Sequence, residues 1–115
     1  MDSKKELYHC PVSVTVGLID SKWKLLILCD ILDGPKRFGE LRKELDGISQ
    51  KVLTDSLRSM EQDGLITRTA YQEVPLRVEY SLSELGETMR PIILAMEHWG
   101  KRYLEIIKDR EKGQQ

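Results

Sequence analysis

ISQKVLTDSLRSMEQDGLI, residues 48–66, carries a start signal, a stop signal and a single apolar stripe. Ser49 can cap the free amides of a first helical turn, and Gly64 is the residue best able to take the left-handed conformation that ends a helix. Between them Val52, Leu53, Leu57 and Met60 fall on one side. The other side holds Gln50, Lys51, Thr54, Asp55 and Arg58, with Ser49 at its head. A helix buried for packing alone has no need of that face. Its side chains can bond phosphates or base edges, except that Asp55 repels phosphate and suits a cytosine amino group or an arginine. Asp55 and Arg58 stand three residues apart, so an internal pair that orders Arg58 for a groove is expected.

Upstream, RFGELRKEL (37–45) keeps Phe38, Leu41 and Leu45 at helical spacing, with Lys36, Arg37, Arg42 and Lys43 outside. Gly47 then turns the chain, and two helices joined by a tight turn make a helix-turn-helix. The four cations either hold phosphates or form a merely solvated face. KWKLLILCDILD (22–33) is apolar on nearly every side: Trp23, Leu26, Ile27 and Ile31 form one stripe, with Leu25, Leu28, Cys29 and Leu32 beside it. It is expected in the middle of a core.

Downstream, LITRTAYQEVPLRVEYSLS (65–83) alternates as strands do, with Val78, Tyr80 and Leu82 on one face, Arg77, Glu79 and Ser81 on the other, and Pro75 in the turn. A helix-turn-helix followed by a hairpin is a winged helix. The fold class expected is therefore mainly α with a small β-hairpin wing. In that arrangement the second helix occupies a major groove and the hairpin tip reaches a minor groove, whose narrow, negative floor suits Arg77. Arg68 is placed to hold a phosphate.

After the hairpin, Met89, Ile92, Met96, Trp99, Tyr103 and Ile106 are separated by 3, 4, 3, 4 and 3 residues, a coiled-coil spacing. That stripe exceeds what so small a domain covers alone, so a homodimer with N- and C-terminal helices at its interface is expected. Two-fold symmetry would set two recognition helices about 34 Å apart, one DNA turn. Pro91 either kinks this helix or marks its first turn.

The chain's 115 residues suit one domain, divided at about 10–86 for the winged-helix core, 87–110 for the dimerisation helix and 111–115 for a mobile tail. Its 18 Lys+Arg against 19 Asp+Glu leave a net charge of -1, so any nucleic-acid binding must come from local arrangement. No apolar run has signal-peptide or membrane-span length, and a cytoplasmic protein is expected. Cys10 and Cys29 form no disulfide framework or zinc spacing, and His98 has no ligand at metal spacing. Neither a catalytic constellation nor a glycine-rich phosphate loop can be assembled, so no enzyme and no cofactor are expected.

Cys10 precedes Pro11, a favoured first-turn residue, and a thiol at a helix N-terminus has a lowered pKa and a reactive thiolate. It either senses an oxidant or small-molecule electrophile or packs the first helix against a partner. His9 can perturb its thiolate or is a plain surface residue, and Cys29, inside an apolar helix, reads as inert core. With no nearby resolving cysteine, a sensing disulfide would join Cys10 between subunits or capture a small thiol.

These segments resemble the HxlR-type bacterial winged-helix transcription regulators, relatives of the MarR regulators. The carriers are CPV (10–12), KWKLLIL (22–28), GPKRFGELRKEL (34–45), GISQKVLTDSLRSMEQDGLI (47–66), VPLRVEYSLSELG (74–86) and HWG (98–100). The resemblance implies a dimeric DNA-binding protein, usually a repressor, in which a cysteine in this Cys-Pro context sometimes senses electrophiles or oxidants. DSKW at 20–23 replaces the family's usual GKW, and Leu76 stands where a second proline is common. On this reading Ser49, Gln50, Lys51, Thr54, Asp55 and Arg58 set specificity, while Lys36, Arg37, Arg42, Lys43, Arg68 and Arg77 set affinity. The alternative is a winged helix that serves as a protein-interaction module.

Overall fold

The computed structural model describes residues 10–113. Its helices are α1 (Pro11–Leu18), α2 (Lys22–Ile31), α3 (Phe38–Glu44), α4 (Gln50–Gln62), α5 (Glu84–Glu87) and α6 (Arg90–Gly113); its strands are β1 (Lys36–Arg37), β2 (Ile66–Tyr71) and β3 (Arg77–Leu82). The strands form one antiparallel sheet in the order β1-β3-β2. Mostly helical, with a hairpin directly after the helix-turn-helix pair α3 and α4, this is the winged helix-turn-helix expected. No helix among the described residues is long and apolar enough to cross a membrane.

Side-chain caps set the helix starts. The Ser21 hydroxyl accepts from the Lys24 amide at 3.1 Å, Ser49 from Val52 at 3.1 Å and Ser83 from Gly86 at 2.9 Å. After α4 the chain reverses at Gly64, whose φ of 83° is a conformation that glycine adopts without strain.

The core is built where α2, α3 and α4 meet the sheet and the start of α6. Ile27, Leu28 and Ile31 of α2, Leu41 of α3, and Leu53, Leu57 and Met60 of α4 are buried together with Leu65, Ile66, Met89 and Ile93. One expectation is corrected here. Val52 is 37% exposed, and Ser56 is buried in the position the apolar stripe would assign it. The inner arc of α4 passes through residues 53, 56, 57 and 60, and at Ser56 only a small side chain stands inside. Leu26 is 42% exposed and Cys29 only partly buried, so one edge of α2 reaches the surface, while Ile27, Leu28 and Ile31 set the helix in the middle of the core as expected.

Two elements carried no periodic signal. β1 is two residues long, and pairs Lys36 with Tyr80 and Arg37 with Glu79. α5 is one turn, clamped to the end of α4: the Ser83 amide donates to the Leu65 carbonyl at 3.0 Å, and its hydroxyl donates to the Gly64 carbonyl. Gly86 sits so tightly there that an added Cβ would lie 1.9 Å from the Leu65 carbonyl oxygen. Pro91 is the second residue of α6, in its first turn. Beside it Arg90 donates to the last-turn carbonyl of Leu32 at 3.1 Å and holds the Glu87 carboxylate at 2.8 and 2.9 Å, tying α6 to α2. Residues 111–113, read as the start of a tail, are helical.

A polar cluster joins α2, β1 and α3. The Lys36 ammonium lies 3.0 Å from Glu44 and 3.9 Å from Asp30, whose Oδ2 is buried without a hydrogen-bond partner. Burial, and then the neighbouring Glu44 carboxylate, push the Asp30 carboxyl up to about 6, while Lys36 holds Glu44 below its usual range.

Two outcomes are expected from these contacts. Gly86→Ala should lower stability by more than about 2 kcal/mol in denaturant titration, because the new methyl meets backbone rather than a yielding side chain. A carboxyl with a raised folded-state pKa contributes stability where it is protonated and loses it as pH rises through about 6. Asp30→Asn, neutral throughout, should therefore melt above the parent at about pH 8, by roughly 4 °C for each kcal/mol relieved, with the gap closing toward about pH 4.

Candidate nucleic-acid interface

The fold turns the polar side of α4 to solvent because its opposite side is spent on the core. Ser49, Gln50, Lys51, Asp55 and Arg58 are exposed and Thr54 is half-buried on one flank. The Ser49 oxygen already accepts the Val52 amide, so its first duty is as the helix cap. Asp55 does not pair with Arg58 as expected: it accepts from Lys51 at 2.8 Å, the i, i+4 partner one turn back. With side chains 83% and 57% exposed, that pair is cheap to open. Arg58 is left with no ion pair among the described residues.

The remaining cations divide sharply. Arg37 is exposed at the head of α3, its amide donating to Glu40 at 2.8 Å; Arg42 and Lys43 are exposed in the last turn. Arg68 is exposed on β2 and, like Arg58, has no ion pair among the described residues. Lys36 is corrected: its side chain is only 17% exposed and turned to Glu44 and Asp30, so it braces the scaffold rather than meeting a phosphate. Arg77 lies 3.9 Å above the Tyr71 ring and bonds Glu73 at 2.9 Å and Glu79 at 2.8 Å. Those carboxylates, Glu73 foremost, raise its pKa and offset its charge. Beyond it the hairpin tip is apolar, with Val74 fully exposed and Leu76 at 64%.

At the head of α1, Cys10 is exposed in the N-cap position next to Pro11. Its thiol is shifted below the usual value by the neighbouring Ser13 amide and hydroxyl and the Val12 amide at the start of the helix. Cys29 is shifted the other way by burial and by the charge of Glu97. His9 lies outside the described residues.

Along α6, Ile92, Met96, Trp99, Tyr103 and Ile106 are exposed, and Trp99 and Tyr103 stack with ring centroids 5.3 Å apart. Met89 departs from the expected interface. It precedes the helix and is buried in the core beside Ile93, because the tie of α6 to α2 turns this end inward. Leu94 and Leu104, off the 3-4 repeat, and Val12 and Val16 of α1 are exposed apolar residues that the repeat alone did not mark.

The profile described as HxlR-like helix-turn-helix matches residues 18–108. The chain is 46% identical over 105 residues to the uncharacterized HTH-type transcriptional regulator YdeP of Bacillus subtilis (strain 168), covering 91% of this chain and 82% of that protein. Among solved structures it resembles the redox regulator HypR in its oxidized form, at 45% identity and a TM-score of 0.78, over 81% of this chain and 96% of that one. It also resembles a transcriptional regulator of the MarR family from Enterococcus faecalis V583, at 37% identity and a TM-score of 0.75, over 95% and 94% of the two chains. The matched residues span the capped helix α4 and the hairpin wing, and the chain belongs to the HxlR-like helix-turn-helix family.

Proposed function

We propose that this chain acts in the cytoplasm as a homodimeric repressor that binds an inverted-repeat operator and responds to oxidants or electrophiles through Cys10. The observation that carries the reading is the exposed polar face of α4 on a helix whose other side is locked into the core. Gln50, Lys51 and Asp55, with Ser49 at the head of the helix, supply the donors and acceptors that distinguish base pairs. Arg37, Arg42, Lys43 and Arg68 supply charge for phosphates, which a chain of net charge -1 must concentrate locally. Arg77 joins them only if Glu73 and Glu79 let go, and the part-buried pair with Glu79, at 27% and 19% exposure, costs more to open than a surface pair. The apolar residues of α6 and α1 support pairing of two copies, since a monomer leaves them in water. The lowered Cys10 thiol supports sensing, as does the likeness to a redox regulator.

Two experiments test this reading. Selection from random duplexes should return an inverted repeat with half-sites about 10 base pairs apart, bound by reduced protein and released by diamide only while Cys10 is present. Release that persists in Cys10→Ser would remove the sensor, and absence of any enriched sequence would favour a protein-interaction module. Sedimentation should give twice the 13.3 kDa chain mass, reduced to a single chain by Trp99→Glu together with Leu104→Glu.

A further inference from the structure

Between α4 and the hairpin lies a cavity of about 440 Å³. Strand pairing sets Arg68 directly opposite Tyr80, so both side chains stand on the same face of the sheet. Ile66, two residues before Arg68, is buried in the core on that same face. From the other side Thr54, Arg58 and Glu61, at i, i+4 and i+7, present one flank of α4 to the cavity. Leu57 and Phe38 give it an apolar floor.

The charges in this notch set it apart. Arg77, Arg90, Lys36 and Lys51 each lie within 3.0 Å of a carboxylate oxygen, whereas Arg58 and Arg68 share one cavity and pair with nothing among the described residues. Glu61 is the one carboxylate in the lining, and it bridges neither arginine. Two guanidinium charges less one carboxylate leave one positive charge, the complement of one phosphodiester. Guanidinium forks bind phosphate oxygens bidentately, and the Thr54 and Tyr80 hydroxyls add neutral donors. Position along the helix agrees. Arg58 lies eight residues beyond Gln50, about 12 Å further along the axis, while recognition helices address bases with their N-terminal residues.

Building on the reading of α4 as the recognition helix, we propose that the notch seats one backbone phosphate of duplex DNA between Arg58 and Arg68, making Arg58 a positioning contact rather than a reader of bases. Helix and wing then grip the same phosphate, which sets the depth at which Gln50, Lys51 and Asp55 meet the base edges.

The test uses the selected operator with each phosphate in turn replaced by a neutral methylphosphonate, bound by the parent protein, Arg58→Ala, Arg68→Ala and the double variant. The three variants carry changes only at exposed positions, and melting temperature confirms folding. One phosphate in each half-site should weaken parent binding about tenfold when neutralised, have a smaller effect in each single arginine variant and change nothing in the double variant. Each single variant should lower the slope of log affinity against log salt by roughly one for each half-site and leave the selected sequence unaltered. Gain of a new base preference in Arg58→Ala, or no phosphate coupled to both arginines, overturns the inference while the regulator reading stands. Saturable binding of inorganic phosphate that requires both arginines, without coupling to any DNA phosphate, assigns the notch to a small anion and overturns it too. Absence of sequence-selective duplex binding overturns both.

Discussion

The packing of Leu53, Leu57 and Met60 of α4 against Ile27, Leu28 and Ile31 of α2 is the constraint from which the other features follow. Each such side chain contributes on the order of 1.5–3 kcal/mol when fully buried. That burial fixes the rotation of α4 about its own axis. Once the rotation is set, Gln50, Lys51 and Asp55 must point outward, and Thr54 and Arg58 must lean toward the sheet. The polar face is therefore organised by the apolar one. The Ser83 and Gly86 contacts at Leu65 then set where the hairpin leaves the core, and so the distance between helix and wing.

Local chemistry made much of this legible in the sequence. Ser49 and Gly64 bracket α4 as read, because a cap and a left-handed terminus depend on single residues. In β3 Tyr80 and Leu82 pack against the core as the alternation expected, whereas Val78 does not and all six residues of the strand are half-buried. β1 escaped because two residues show no period, and α5 because one turn shows none either. Val52 and Ser56 exchanged roles because an apolar stripe read from hydropathy ignores which side chain is small enough to fit inside. Met89 follows the 3-4 repeat by coincidence, lying before the helix whose repeat it appeared to begin.

Charge was harder to read than hydrophobicity. Sequence shows which residues carry charge; the fold decides which of them are already neutralised. Lys36 looks like Lys43 on paper, yet one is enclosed by Asp30 and Glu44 and the other stands in water. Arg77 likewise shares its charge with two glutamates, while Arg68, on the adjoining strand, has no ion pair among the described residues. In a chain of net charge -1, Arg37, Arg42, Lys43, Arg58 and Arg68 thus stand without an ion pair among the described residues, whereas Lys36 and Arg77 are already neutralised.

Finally, α6 runs for 24 residues, about 36 Å at helical rise, yet Ile93 is its one buried residue. Among the described residues, most of its length is covered by nothing else in the chain. In the homodimer proposed above, a partner covering it would contribute to its stability by mass action, so the persistence of this helix would depend on how much partner surrounds it. If the partner is a second copy, abundance becomes part of the fold: a sparse population frays first at α6, where proteases gain access, and a dense one protects itself.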